Sequence, residues 1–178
     1  MSRGREITLP GTCTFTGTGG GRAVKIRSVT FNNRKKGFEV RTSKAVFWFP
    51  YAKLEIRSAS DDPVVRAVVD AEIGREGFSY ALASGKEGTV HIDRVLEYNQ
   101  DLEFLRDRLL YRLTLEAQRR VARSRLSRRE IIRRLGTSAT QFYRLLDQTN
   151  YRKSIDQLLT LLHVLDCDVD LVVRAKSA

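Results

Sequence analysis

The sequence predicts an α+β chain: a small antiparallel β-rich domain over residues 1–98, then a helical domain over residues 99–178 ending in a short strand. Three observations carry this reading. Runs rich in Val, Ile, Phe and Tyr, separated by polar or glycine-bearing turns, fill the first hundred residues. From Asp101 onward the apolar residues recur every three to four positions instead. The charge shifts in similar blocks. Lys and Arg outnumber Asp and Glu by twelve to three over residues 1–60, fall to four against nine over 61–101, and reach sixteen against nine over 102–178.

The elements follow in order. The run from Arg22 to Phe31 has the β-branched content of a strand, and the polar stretch Asn32–Gly37 turns the chain into a partner strand, GFEVRT. Ala45–Tyr51 concentrates Phe47, Trp48, Phe49 and Tyr51 around Pro50, which should end regular pairing. Val64–Ile73 reads as a strand, although its pattern also accommodates a helix. Phe78–Ala83 and Thr89–Asp93 flank SGKEG as a hairpin. One curled sheet of about five strands, with room for a short helix, would hold these segments.

The second half reads as helices. Leu102, Leu105, Leu109, Leu113, Ala117 and Val121 form one stripe, on a long helix or on two abutting ones with Thr114 capping the second. Ser127 is a good N-cap, with Glu130 at the position a capping box requires. Ile131, Ile132 and Leu135 give that helix its apolar face, and Gly136 suits a left-handed helix end. Thr137 can bury its methyl under the turn. Ser138 can cap a following helix with Phe142, Leu145 and Leu146 as its stripe. Ser154 caps the next, with Ile155, Leu158, Leu159, Leu162 and Leu165 facing inward. Asp168–Arg174 alternates like a terminal strand, whose free edges invite pairing with a second subunit.

Composition narrows the function classes. With 178 residues and 42% hydrophobic content the chain can build a core. No apolar run approaches the length of a bilayer span, and no apolar stretch follows the basic residues of MSRGREITLP, so neither a membrane anchor nor a secretory leader is expected. Cys13 and Cys167 lie far apart without a CxxC, as expected for reduced thiols in a cytoplasmic protein. His91 and His163 are isolated, so no metal or other cofactor is expected. Glu72, Glu76, Glu87 and His91 include acids and bases, but no nucleophile, metal set or phosphate loop accompanies them, and an enzyme is not expected. GTGGG at residues 17–21 lacks the GK[ST] of a phosphate cradle and reads as a hairpin tip or linker.

A net charge of +11 favours a polyanionic partner. Eight arginines and one acid fall within Arg119–Arg134, and the planar guanidinium suits phosphate. Beside them, the spacing from Ser127 to Leu146 suits two short helices joined by a tight turn, a helix-turn-helix that sets one helix in a DNA groove.

Residues 115–166 resemble the Cro/repressor-type helix-turn-helix family, also called XRE or lambda-repressor-like. Arg128–Leu135, the turn Gly136–Thr137–Ser138 and Ala139–Leu146 match its second and third helices, and the helix from Ser154 matches its fourth. The final strand is most similar to antitoxin-type regulators of that family. Ile132 departs from the small residue common where the two helices cross, which implies a wider crossing or a shifted packing partner. The first hundred residues weakly resemble a small β-rich domain family of unknown function.

The resemblance implies a recognition helix entering the major groove N-terminus first. Ala139 opens that helix, Thr140 and Gln141 lie nearest the base edges, and Tyr143 and Arg144 follow one turn on. Gln pairs with adenine and Arg with guanine, at about 1–3 kcal/mol of discrimination per bidentate pair. Arg128, Arg129, Ser138, Arg152 and Lys153 are placed for phosphates, which set register without reading sequence. The expected protein is a homodimeric, sequence-specific regulator of double-stranded DNA, with a sensing, dimerising or partner-binding N-terminal domain. The competing reading is an RNA- or protein-binding module that uses the helix-turn-helix as a scaffold. Exposed Phe47, Trp48 and Tyr51 would favour RNA; their burial, with Thr140 and Arg144 on a protruding helix, would favour DNA.

Overall fold

A computed structural model describes residues 23–170. The GTGGG stretch, Cys13 and the start of the first expected strand at Arg22 lie outside the described residues. The fold is mixed α+β: two small antiparallel three-stranded sheets followed by helices.

The first sheet comprises β1 (Ile26–Asn32), β2 (Gly37–Thr42) and β3 (Val46–Pro50), paired in that order. Asn32 shapes the first turn, its Oδ1 accepting from the amides of Arg34 and Lys35 at 3.1 and 2.9 Å. Pro50 closes β3, as its missing amide dictates, and a single 3-10 turn follows over Tyr51–Lys53. The second sheet comprises β4 (Val64–Val69), β5 (Gly77–Leu82) and β6 (Glu87–His91). Val64–Ile73 is therefore strand for its first six residues and turn for the rest.

The expectation of one curled five-stranded sheet is corrected to six strands in two sheets. β1 and β4 run side by side without pairing, and the bonds beside them reach a residue outside one strand or the other. The amide of Ile26 donates to the Arg75 carbonyl at 2.8 Å, and Asn33 Nδ2 donates to the Val64 carbonyl at 2.9 Å. Both strands shift register, between Ile26 and Ser28 and between Val64 and Arg66. Such irregularities bend a strand and interrupt its ladder, so the seam does not zip closed.

Alternation places Phe38, Val40 and Phe49 of one sheet against Phe78, Tyr80 and Val90 of the other, all buried. The Phe38 ring lies 4.9 Å from both Phe78 and Tyr51. α1 (Ile92–Tyr98) closes this cluster with Ile92, Val95 and Leu96. Its N-cap is His91, whose Nδ1 accepts from the Asp93 amide at 3.3 Å.

α2 (Leu102–Arg123) is one uninterrupted helix, about 33 Å long at 1.5 Å per residue. Phe104 packs on the sheet cluster, whereas Leu110 and Ala117 are buried in a second cluster with the later helices. The expected stripe is thus corrected. Leu102 is 82% exposed and Leu109 is exposed too, while Asp107, Leu110, Thr114 and Ala117 are buried. Serving two cores sets the phase of the helix, not apolar count alone. Thr114 caps nothing; its hydroxyl donates to the Leu110 carbonyl at 2.7 Å inside the continuous helix.

α3 (Arg128–Leu135), α4 (Ala139–Leu146) and α5 (Ile155–Val164) complete the second cluster around Ile131, Phe142, Leu145, Leu158, Leu161 and Leu162. Leu161 replaces Leu159, which is half-buried, on the inward face of α5. Asp168–Asp170 have no regular structure, and the rest of the expected terminal strand lies outside the described residues.

Candidate nucleic-acid interface

α4 is held from three directions, and its free face follows from that. Ser138 caps its start, the hydroxyl oxygen accepting from the Gln141 amide at 3.2 Å. Phe142 and Leu145 are buried and Leu146 half-buried, each buried side chain gaining roughly 1.5–3 kcal/mol from leaving water. On a wheel of 3.6 residues per turn, the positions opposite that stripe are Thr140 and Arg144. Both are exposed, as are Ala139, Gln141 and Tyr143. Tyr143, 52% exposed, leans its ring edge-on to Phe142 at 5.5 Å. Gln141 lies toward α5, lining a groove of about 240 Å³ with Thr137, Gln157 and Thr160.

The far end of α4 is closed by side chains that sequence reasoning missed. No glycine follows Leu146, and Asp147 ends the helix in extended backbone, so the last carbonyls need donors from elsewhere. Asn150 Nδ2 donates to the Arg144 carbonyl at 3.1 Å, Lys153 Nζ to that of Leu145 at 3.1 Å, and Gln118 Nε2 of α2 to that of Leu146 at 2.8 Å. Gln148 then donates to Gln118 Oε1 at 2.8 Å. The absence of a C-terminal glycine was the available signal, but it does not say which residues answer it.

Lys153 is therefore corrected as a phosphate candidate. Only 6% of it is exposed, and its ammonium also donates to the Asp147 carbonyl. Burial holds its pKa below the ordinary lysine value, with the Asp147 carboxylate working the other way. Two of its three donors go to main-chain carbonyls, and its burial keeps the ammonium from reaching outward. Its neighbour Arg152 is exposed, on a loop shaped by Asn150 Oδ1 accepting from the Arg152 amide at 3.1 Å.

α3 begins at Ser127, whose hydroxyl accepts from the Glu130 amide at 3.2 Å. Glu130 does not return a bond to complete a capping box. Its carboxylate instead takes Arg133 at 2.7 and 2.9 Å and Arg134 at 2.8 Å, which pulls its pKa down to about 2. Arg128 and Arg129 are exposed on the first turn. Gly136 ends α3 at φ +64°, and three residues separate α3 from α4. Ile131 is fully buried in the helical cluster, while Ile132, the oversized residue at the expected crossing, is half-buried.

The aromatic residues of β3 and of the turn that follows it are placed for packing. Phe49 and Tyr51 are buried, Phe47 packs on the sheet cluster, and the Trp48 indole lies across Gly37. His91 stands 3.8 Å from Glu76 and 3.6 Å from Asp93, while Glu87 pairs with Arg66 at 2.8 Å. Among the described residues no group of three or more His, Cys, Asp or Glu side chains gathers that could hold a metal ion. No helix among them is long and apolar enough to cross a membrane.

Comparison of the chain with protein-family models, curated proteins and solved structures gave no match.

Proposed function

We propose that this protein is a cytoplasmic, sequence-specific DNA-binding transcriptional regulator that reads the major groove with α4. α3 and α4 would form a helix-turn-helix of the Cro/repressor type. The observation that carries the reading is the face of α4. Thr140 and Arg144 stand opposite its buried stripe, on a helix fixed at its N-terminus by Ser138 and at its C-terminus by Asn150, Lys153 and Gln118. A short helix fixed at both ends offers its outward donors in one geometry, as base-edge recognition requires.

The charge supports the same partner. Arg128, Arg129 and Arg152 are exposed near α4 in sequence, suited to phosphates that fix register. Of the aromatics that would form a stacking platform for single-stranded RNA, Tyr51 is buried and Phe47 and Trp48 are half-buried, which counts against that reading. A homodimer belongs to this reading, because short operators ordinarily supply two half-sites to reach useful affinity. The two sheets would then sense, dimerise or hold a protein partner, an antitoxin-like arrangement being one version.

The test is binding to duplex DNA from the protein's own promoter region, beside scrambled duplex and single-stranded RNA, across a salt series. A promoter preference that survives physiological salt and collapses in Thr140→Ala and Arg144→Ala is the expected result. Equal, salt-erased binding to every polyanion overturns it.

A further inference from the structure

The arginines between α2 and α3 divide into two kinds. Arg119 and Arg120 are held by Glu116, at 3.7 and 2.6 Å. Arg133 and Arg134 are held by Glu130, at 2.7 and 2.8 Å. Between these pairs stand Arg123, Arg125, Arg128 and Arg129, all exposed, with no carboxylate in ion-pair range among the described residues. Four uncompensated cations within seven residues repel one another, a cost that bound anions would remove.

The corner carrying them is fixed. Leu126, in its middle, packs on the helical cluster, and its amide donates to Ser124 Oγ at 3.1 Å. Ser127 then caps α3. The corner is thus tied down between two helices, with its guanidinium groups outside. Two acids neutralise the arginines on either side and leave the middle four charged.

Building on the proposed DNA reading, we infer that Arg123, Arg125, Arg128 and Arg129 form a clamp for consecutive phosphates of a duplex backbone. It supplies affinity and register while α4 supplies sequence. Arg123 and Arg125 join the phosphate set in this scheme, and Lys153 leaves it. The acid-held arginines contribute little, since their charge is already answered.

The test measures log Kd against log salt for a short mixed-sequence duplex. The parent is compared with a variant replacing all four clamp arginines by Ala, the same four replaced by Lys, and Arg119→Ala/Arg120→Ala/Arg133→Ala/Arg134→Ala. Each lost phosphate contact should lower the slope by about 0.9, so the clamp variant should lose about 3–4. The Lys variant should keep most of the slope, and the acid-held variant should change by less than about one contact. A clamp variant with the parent's slope, or an equal loss in the acid-held variant, overturns the clamp. The promoter preference measured alongside separates the two claims. If it persists when the clamp fails, the DNA reading stands; a parent that binds no duplex overturns both.

Discussion

Lys153 donates from Nζ to the carbonyl oxygen of Leu145 at 3.1 Å, so a cation that sequence position assigns to phosphate closes the end of α4 from inside. Its neighbour Arg152 points the opposite way in function, being exposed.

These adjacent cations should separate cleanly in experiment. Lys153→Met keeps the apolar stem and deletes the donor, leaving the Leu145 and Asp147 carbonyls short of a partner, and should cost about 1–3 kcal/mol in urea denaturation. Arg152→Ala should stay within about 0.5 kcal/mol of the parent and instead lower the salt slope of DNA binding. The reverse assignment of effects would return Lys153 to the interface.

Glu130 makes α3 sensitive to acid. Its pKa is drawn from 4.5 to about 2 by hydrogen bonds from Arg133 and then Arg134. A depressed carboxylate stabilises the fold above its ordinary value, and that contribution is lost as pH falls through 4.5 towards 2. Glu130→Gln should flatten this part of a stability–pH profile followed by helical circular dichroism. It should also free two guanidinium groups and tighten binding to duplex of any sequence. An acid limb unchanged in the variant would show that the ion pairs do not matter to folding.

Gly136 tests the turn. A methyl group there would meet nothing within 4 Å, so Gly136→Ala isolates the cost of holding a side chain at φ +64°. That cost is about 1–2 kcal/mol. Thermal denaturation reads it directly, and an unchanged midpoint would mean that the turn relaxes. Loss of sequence preference beyond the loss of stability would show that the α3–α4 angle matters to recognition.

Gly37 is constrained from outside. A Cβ there would stand 2.3 Å from the Trp48 ring and 2.8 Å from the Phe49 carbonyl oxygen. Gly37→Ala must push the indole off the sheet, for about 1–3 kcal/mol. Trp48 is the single tryptophan of the chain, so its emission should move to the red as the ring enters water. Unshifted emission would place the strain in the backbone instead. Binding to promoter duplex, if the proposed function holds, should be unaffected, because Gly37 and Trp48 stand on β2 and β3 and neither belongs to the helical cluster.

Several elements were legible residue by residue. Ser127, Ser138 and Ser154 cap the helices expected of them, and Gly136 takes the left-handed conformation. The exposed positions of α4 are those its apolar spacing leaves over. Other features were not legible. The inward face of α2 is displaced from its leucine stripe, α5 buries Leu161, and the five-stranded sheet is two sheets of three. Gln118 reaches the end of α4 from 28 residues away, which no local pattern announces.

The sequence by itself determined where α3, α4 and α5 start, where α3 stops, which face of α4 turns inward, and how charge is dealt along the chain. These depend on groups within about one helical turn of each other, and backbone geometry holds such neighbours together in any fold that keeps the helix. The tertiary structure alone decided that Lys153 is a cap, that Glu116 and Glu130 neutralise their neighbours while four arginines stay charged, and that β1 and β4 meet without zipping. Each of these outcomes is a competition among several available partners. It is settled by the positions other elements take and by the cost of leaving a buried polar group unpaired.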